Sequence, residues 1–382
     1  MDFDLSDEQR LLKDSVERLL ADRYDFESRN GWLGGEPGWS RDMWARYAEL
    51  GLLALPFASE YGGIDGGAVE TMIVMEAFGR ALVLEPYFPT VVLAGGLLRH
   101  AGSKDQKADL IPQIAEGGLL LAFAQAESQS RYDLFDVATT ARKDGDGWIV
   151  DGHKTVVLHG DSADRLIVSA RTGGGRRDRD GIGLFLVDAG AEGVSRRGYA
   201  TQDGHRAADI LFENVRVGPE AVVGNPEDGL PVIERAVDEA IAALCAEAVG
   251  NLAVIHEETV EYLKVRKQFG VPIGSFQALQ HAAVDMYVDL EQARSMAMFA
   301  TMMAGDPDAA ARRQAVAAAK VQIGRSAKSV GQSGIQLHGG VGMTMEFKVG
   351  HYFKRATMID ATFGNVDHHL DVVAGGDSLV AA

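Results

Sequence analysis

The sequence has a single cysteine, Cys245, among its 382 residues. One thiol cannot close an internal disulfide, which favours a reducing compartment. Cys245 lies among Leu244, Ala248 and Val249 in a helical pattern, so we predict a buried structural thiol rather than a nucleophile. The acidic N-terminus lacks both the apolar core of a signal peptide and the basic residues of a transit peptide. We therefore expect a cytoplasmic protein.

Basic residues are also outnumbered: the chain has 37 basic and 55 acidic residues, which gives a net charge of −18. Such a chain repels phosphate on average, so neither a nucleic acid nor an anionic membrane is an expected partner. No run approaches the ~18 consecutive apolar residues of a membrane-spanning helix. His368 and His369 stand beside Asp367, but no further ligand cluster accompanies them, so no metal site is predicted.

The length favours two or three domains, and an apolar fraction of 46% suffices for a sizeable core. We predict an N-terminal α-helical domain over 1–117, a middle β domain over 118–225 and a C-terminal four-helix bundle over 226–382. Ser6 and Gln9 form a capping-box pattern that starts the first helix. The apolar run at 52–56 is predicted to be extended.

The middle region contains short apolar runs separated by turns, such as the Asp144-Gly-Asp-Gly147 hairpin signal. This pattern predicts an antiparallel barrel or sandwich. The Gly-rich stretch at 172–181 lacks the Gly-Lys-Ser/Thr end of a phosphate-binding loop, and we interpret it as a solvated hairpin loop. Beyond Pro226, apolar residues recur at helical spacing in four segments joined by short links, which predicts an antiparallel bundle. The fold class is thus α+β and mostly α.

The stretch Tyr262-Leu-Lys-Val-Arg266-Lys-Gln268-Phe269-Gly270 ends the first long helix of the bundle. Gly270 and Pro272 predict a turn before the next helix. A corner with a guanidinium, amide side chains and an aromatic ring suits an anionic group such as a pyrophosphate. The alternative is a solvated corner whose basic residues complement the helix dipole.

Two motifs together resemble the acyl-CoA dehydrogenase family, and the resemblance covers essentially the whole chain. The first is Arg266-Lys-Gln-Phe-Gly270 with Pro272, Ile273 and Gln277, and the second is Gln336-Leu-His-Gly-Gly-Val-Gly342. The resemblance implies an FAD-dependent oxidoreductase that dehydrogenates an acyl-CoA thioester between its α and β carbons. It also implies FAD lying between two subunits. The positions that match the neighbour's contribution to FAD are Arg266, Gln268, Phe269, Gln277, Gln336 and Gly340.

The positions that face the flavin ring in the family depart from its pattern here. Ala126 replaces a threonine, Tyr132 replaces a serine, and Leu158 replaces a threonine that bonds the flavin. Glu127 and Asp133 match. The resemblance therefore implies an intact half-site for the AMP and pyrophosphate beside an altered half-site for the ring.

The residues at the catalytic-base positions also differ from the family's pattern. The family's usual glutamate position is Phe363, and the alternative position is Ala240. Glu239 is one residue away, but one step turns it about 100° around the helix. Asp360 and Asp367 are weak candidates for a relocated base, and solvated or capping carboxylates are the alternative interpretation.

Within the family, several stretches are similar to the small-subunit type of pimeloyl-CoA dehydrogenase, including the segment at 351–360. That resemblance implies an acyl- or dicarboxylyl-CoA substrate, a paired large subunit and an electron-acceptor flavoprotein. Three hypotheses follow: a subunit of a mixed oligomer, a self-sufficient homo-oligomer with a relocated base, and a non-catalytic structural or regulatory subunit.

Overall fold

The computed structural model describes residues 5–375, so the acidic residues at 1–4 lie outside it. Helices come first, strands follow, and long helices complete the chain, which confirms the predicted fold class. The helices are α1 (Asp7–Arg23), α2 (Phe26–Leu33), α3 (Arg41–Glu49), α4 (Ala68–Ala81), α5 (Gly95–Ala101), α6 (Lys104–Ala115), α7 (Leu230–Val265), α8 (Gln277–Met303), α9 (Ala309–His338), α10 (Val349–Ala361) and α11 (Val366–Val373). The strands are β1 (Leu121–Ala124), β2 (Thr140–Asp144), β3 (Gly147–Leu158), β4 (Arg165–Arg171), β5 (Ile182–Asp188), β6 (Val194–Ala200), β7 (Arg206–Val217), β8 (Val222–Val223), β9 (Lys267–Gln268) and β10 (Val271–Pro272).

The chain divides into two compact units. The bundle unit takes in the described residues of Met1–Gly31, Ala68–Val83 and Ile241–Ala382. The sheet unit consists of Trp32–Gly67 and Leu84–Ala240. The division falls inside α7, so that helix contributes residues to both units. The two domain boundaries drawn from the sequence, at 117/118 and 225/226, stay a prediction.

The sheet unit is built on one sheet with the strand order β6-β7-β3-β2-β4-β5-β8, and β1 pairs with β4. Most neighbours are antiparallel, while β1 and β2 each run parallel to β4. The predicted turn between β2 and β3 is confirmed, since Asp144 pairs with Gly147 and Gly145 has a φ of 66°. Trp148 packs edge-on against Phe185, with ring centroids 5.2 Å apart, in the core of this sheet.

The prediction of an extended segment at 52–56 is wrong, because Leu52–Ala54 forms a 3₁₀-helix. Gly51 precedes it in the left-handed region, with a φ of 73°. Leu52, Leu53 and Leu55 are all buried. A run that is apolar on every side has no period, and its turns cannot be told from a buried strand by sequence alone.

In the bundle unit, α4 crosses α7 at two glycines. A Cβ added at Gly79 would lie 1.9 Å from the carbonyl oxygen of Glu247, and one at Gly250 would lie 1.9 Å from that of Glu76. Only glycine permits two helix backbones to approach this closely. The Arg355 guanidinium of α10 also bonds both carboxylate oxygens of Glu247, at 2.5 and 2.7 Å. These contacts fix the course of α7.

Two features of α7 answer questions raised by its composition. The helix is long and apolar enough to cross a membrane, but 89% of its most apolar window is buried inside the protein. That burial is typical of the central helix of a bundle. Cys245 is buried as predicted, and burial raises the pKa of its thiol to about 12.

Candidate functional site

The corner after α7 is a β-hairpin rather than a simple turn. Gln268 pairs with Val271 and Lys267 with Pro272 in an antiparallel ladder. Phe269 and Gly270 connect the strands with φ values of 55° and 83°. Positive φ at both central residues is the mark of a two-residue type I′ hairpin. The sequence signal was the glycine at the second turn position, but it is weak without asparagine or aspartate before it.

Phe269 lies at the tip of this hairpin, where its side chain is exposed and its backbone is strained. Its side chain is 92% exposed, and its only aromatic neighbour in the described chain is Phe276, 6.2 Å away between ring centroids. A left-handed backbone costs a non-glycine residue about 1–2 kcal/mol. A strained, exposed aromatic side chain indicates a functional contact rather than a role in the core.

Gln277 begins α8 immediately after the hairpin. The preceding residue, Phe276, offers no side-chain acceptor to the first turn of the helix. The first N–H groups of a helix have no partner inside it and point toward any anion placed at that end. The start of α8 therefore adds N–H donors to the guanidinium and amides of the hairpin.

The C-terminal ends of α7 and α9 and the N-terminal end of α8 meet at one end of the bundle unit. Helices α8 and α9 run antiparallel, since Ser326 donates to the carbonyl of Asp289 at 2.8 Å and Gln322, one turn earlier on α9, donates to the side chain of Gln292, further along α8, at 3.1 Å. Gln277 and His338 each lie about 18 Å further toward that end, at about 1.5 Å per residue. The ring of Tyr262, one turn before Arg266, is 4.5 Å from that of His338. The two sequence motifs are thus brought to the same end.

The six predicted cofactor residues are all exposed: Arg266, Gln268, Phe269, Gln277, Gln336 and Gly340. A Cβ added at Gly339 or Gly340 would meet nothing within 4 Å, so this backbone is open to a ligand. Within residues 5–375, Arg266 makes no ion pair. A guanidinium, amides, helix N–H groups and bare glycine backbone fit a pyrophosphate with its nucleoside. These residues suit the AMP half of FAD.

Large apolar side chains border these polar groups. They are Val265, Val271, Phe276, Val341, Met343 and Met345, and their exposed fractions run from 39% to 76%. A further apolar row follows one side of α8, which we call the α8 face: Val284, Tyr287, Val288, Phe299 and Met302. Exposed apolar area on this scale is typical of a surface covered by another chain.

The loop at 125–139 in the sheet unit is held from within by a buried ion pair. Lys154 donates to Glu127 at 2.7 Å, to Ser169 at 3.1 Å and to the carbonyl of Gln125 at 3.1 Å. The Glu127 carboxylate also accepts the backbone N–H groups of Ala138 and Thr139, at 2.8 and 3.0 Å. The sequence did not reveal this pair, because a lysine in a strand is normally read as exposed.

Both members of the pair are charged at neutral pH. Burial alone raises the pKa of Glu127, but Lys154, Gln129 and Thr139 outweigh it and lower that pKa to about 2. Burial lowers the pKa of Lys154 to about 8. The scaffold of the loop is therefore intact, although Ala126 and Leu158 offer no polar side-chain atom to a flavin.

Strand β3 bulges where the family places its flavin-facing segment. The ladder with β7 shifts register between Lys154 and Val157, and Val156 has a φ of 51° and is 49% exposed. Bulges often redirect side chains next to functional sites. The residue presented here is an aliphatic side chain without hydrogen-bonding capacity.

Neither usual base position carries a carboxylate. Ala240 is fully buried. Its neighbour Glu239 is engaged in the sheet unit, where it bonds Arg99 and lies 2.9 Å from His100. Burial raises the pKa of Glu239, but His100 and Arg99 outweigh that effect and lower it. Glu239 is therefore an ion-pair residue rather than an available base.

The two weak candidates are placed differently. The Asp360 carboxylate faces α9, since a Cβ added at Gly324 would lie 2.2 Å from its Oδ1. Burial raises the pKa of Asp360. Asp367 is exposed in the first turn of α11, where an acid favours the helix dipole. Neither carboxylate occupies the position of Phe363.

The protein is expected to lose stability as the pH falls below about 6.5, in part through His369. Burial lowers the pKa of His369 from 6.5 to about 3. Between these pH values the unfolded chain binds a proton that the folded chain does not. The free energy of unfolding therefore decreases as the pH is lowered. Between about pH 6.5 and pH 5 the loss from this residue is about 2 kcal/mol.

Thermal unfolding of wild type and His369→Gln at about pH 7.5 and about pH 5 measures this contribution. The variant should lose visibly less stability on acidification, because glutamine does not titrate. An equal loss in both proteins would contradict the assignment to His369.

No group of three or more histidine, cysteine, aspartate or glutamate side chains within residues 5–375 is arranged to hold a metal ion.

Comparisons with known proteins agree with this geometry. Three family models match in order: the acyl-CoA dehydrogenase N-terminal domain over residues 6–118, the middle domain over 122–215 and the C-terminal domain over 227–376. The probable acyl-CoA dehydrogenase fadE25 of Mycobacterium tuberculosis is 31% identical over 330 residues, which cover 82% of this chain and 84% of that protein.

Two solved structures extend the likeness to the whole fold. A variant of the Tcur3481-Tcur3483 steroid ACAD has a TM-score of 0.86 at 29% identity and covers 97% of this chain and 98% of its own. The ChsE4-ChsE5 complex from Mycobacterium tuberculosis has a TM-score of 0.88 at 25% identity, and both chains are covered completely.

The chain belongs to the acyl-CoA dehydrogenase family. Members of this family are flavin-dependent oxidoreductases, and membership implies FAD as the cofactor and an acyl-CoA thioester as the substrate.

Proposed function

We propose that this chain is the small subunit of a mixed acyl-CoA dehydrogenase, of the pimeloyl-CoA small-subunit type. The assembly dehydrogenates an acyl- or dicarboxylyl-CoA thioester between its α and β carbons. One observation carries the proposal: the residues suited to the AMP half of FAD are present and exposed, while ring-facing positions 126 and 158 and both base positions carry apolar residues. Such a chain serves a flavin whose ring is held by another chain.

The division of labour follows from the chemistry. Bound FAD supplies an acceptor for the β-hydrogen, and the α-proton needs a carboxylate kept basic by desolvation. This chain has Phe363 and Ala240 at the two positions where the family carries that carboxylate. Its own contribution is to bind and orient, with Arg266 on the pyrophosphate, Gln277 at the start of α8, and Gly340 allowing close backbone approach.

Exposed apolar surface supports the need for a second chain. Phe269 and the apolar residues around the hairpin border the polar groups, and the α8 face continues this surface along the bundle unit. A groove of about 530 Å³ opens on that face beside Tyr287, Val288 and Met296. The Tcur3481-Tcur3483 and ChsE4-ChsE5 proteins, similar over nearly their full lengths, are described by paired names, and the second is a complex.

Turnover by the chain alone and with its partner tests the proposal. We expect the chain expressed alone to give no acyl-CoA-dependent reduction of an electron-acceptor dye or flavoprotein. Co-expression with an acyl-CoA dehydrogenase chain that carries the base and the polar ring-facing residues should give a stable complex that turns over.

The other hypotheses make different forecasts for the same experiment. Turnover by the chain alone would establish a self-sufficient homo-oligomer. A stable complex whose activity survives removal of this chain would establish a structural or regulatory subunit. Either result contradicts the proposed function.

A further inference from the structure

His338 is the last residue of α9, and its buried side chain packs against two aromatic rings from other parts of the bundle unit. The centroid of its ring lies 4.5 Å from that of Tyr262 on α7 and 4.8 Å from that of Phe347, which precedes α10. Tyr262 and Phe347 also meet edge-on, with centroids 6.3 Å apart. We call these three rings the aromatic bridge, because they connect the two sequence motifs through side chains.

The aromatic bridge is tied to the backbone of both motifs. The backbone N–H of Arg266 donates to the carbonyl of Tyr262 at 2.9 Å, so the start of the hairpin follows the position of Tyr262. On the other side, the glycine turn Gly339–Met343 follows His338 directly. A Cβ added at Gly342 would lie 3.0 Å from the Cβ of His338, so this turn folds back onto the histidine. Moving the His338 ring would therefore shift the hairpin and the glycine turn relative to each other.

Only one ring nitrogen of His338 has a partner. Nδ1 lies 2.7 Å from the carbonyl of Gly334, whereas Nε2 is buried and meets no hydrogen-bond partner within residues 5–375. Burial lowers the pKa of His338, although the Gly334 carbonyl and Glu258 act in the opposite direction, so the ring is neutral at neutral pH. A neutral imidazole carries one N–H, and here Nδ1 donates it to Gly334. His338 therefore contributes one hydrogen bond and an aromatic surface, and no charge.

We propose that His338 is a positioning residue for the AMP half of FAD. Its ring fixes the spacing between Arg266 and the glycine turn, so that the guanidinium and the open backbone at Gly340 reach the same nucleotide. The inference rests on the proposed function, which assigns both motifs to that half of the flavin. His338 is buried, so it acts through the exposed residues on either side of it and does not contact FAD itself.

The affinities of the flavin-free mixed assembly for FAD and for ADP test this role. ADP contains the AMP and pyrophosphate part of FAD without the flavin ring, and its affinity is measured by competition with FAD. In His338→Ala, the dissociation constants of both should rise by the same factor of about ten, because two aromatic contacts are lost. His338→Phe keeps the aromatic stack and loses only the bond to Gly334, so both constants should stay within about threefold of wild type.

Val330→Ala is the matched control, because Val330 is also buried and lies about two turns before His338 on the same helix. This variant should lower the thermal stability of the assembly by leaving a cavity, without changing either dissociation constant. If His338→Ala fails to fold, Phe347→Leu removes another ring of the aromatic bridge. It should weaken FAD and ADP equally, by about threefold.

Four results would overturn the inference. They are unchanged FAD affinity in His338→Ala or its substitute, an equal loss in Val330→Ala, a loss for FAD that ADP does not share, and failure of His338→Phe to retain the affinity. Full FAD occupancy of the chain expressed alone contradicts the proposed function instead. The same variants, measured on that homo-oligomer, then decide the role of His338 separately.

Discussion

Replacing Arg266 by alanine is expected to deplete FAD from the assembled protein. A charge-assisted hydrogen bond to a phosphate contributes roughly 1.5–3 kcal/mol, so losing it should weaken FAD binding about 10- to 100-fold. The flavin-to-protein absorbance ratio after gel filtration of the assembly measures this loss. Because Arg266 is exposed and makes no ion pair within residues 5–375, the thermal stability of the FAD-free chain should not change.

Lys267→Ala is the matched control for this experiment. Lys267 is the next residue and is also exposed, but it does not match a cofactor position. The control should retain FAD, and the two variants together separate a specific contact from a general loss of positive charge. Unchanged flavin content in Arg266→Ala would count against the role of the hairpin.

Replacing Lys154 by methionine is expected to cost about 3–5 kcal/mol of stability, because it leaves the Glu127 carboxylate buried without its cation. Chemical denaturation of the variant measures this loss. Lys143→Met, on an exposed residue of the adjacent strand, should have little effect. The double variant Lys154→Met with Glu127→Gln should recover much of the loss, since neither charge is then buried.

The pH dependence of the same pair has a definite sign. The pKa of Glu127 is lowered from 4.5 to about 2 in the folded chain. Its stabilising contribution is therefore complete above about pH 4.5 and is lost as the pH falls toward 2. The difference between wild type and Glu127→Gln should narrow over that range. A constant difference would contradict a buried, ionised Glu127.

Local sequence signals predicted the elements that depend on nearby residues. Ser6 and Gln9 form the capping box that the sequence predicted at the start of α1, with both reciprocal bonds present. The long helices of the bundle unit follow their apolar period. Signals of this kind need only a few consecutive residues, so they survive without knowledge of the fold.

Contacts between distant residues could not be read in the same way. Lys154 meets Glu127 from 27 positions away, and Lys320 donates to main-chain carbonyls of residues 359–364, at the end of α10, across 39 to 44 positions. A buried lysine in an apolar pattern has no sequence signature, because lysines are mostly exposed. The positive φ of Phe269 at the hairpin tip could not be predicted from the sequence either, because bulky residues rarely adopt positive φ.

The sequence predicted which residues belong to the candidate site, but it did not predict how they are arranged. The two motifs named the exposed residues near Arg266 and Gln336, while the antiparallel packing of α8 and α9 explains why they lie at one end. At the base positions, by contrast, the sequence showed which residues are missing. Phe363 and Ala240 indicated a missing carboxylate, and the placement of Asp360 and Glu239 explains why neighbouring acids do not replace it.

The amount of FAD bound per chain, with the chain expressed alone and with its paired chain, tests whether a second chain holds the flavin ring. We predict little or no FAD on the isolated chain and close to one FAD for each pair in the co-expressed complex. Full occupancy of the isolated chain would show that it holds the flavin ring itself, and would contradict the mixed assembly.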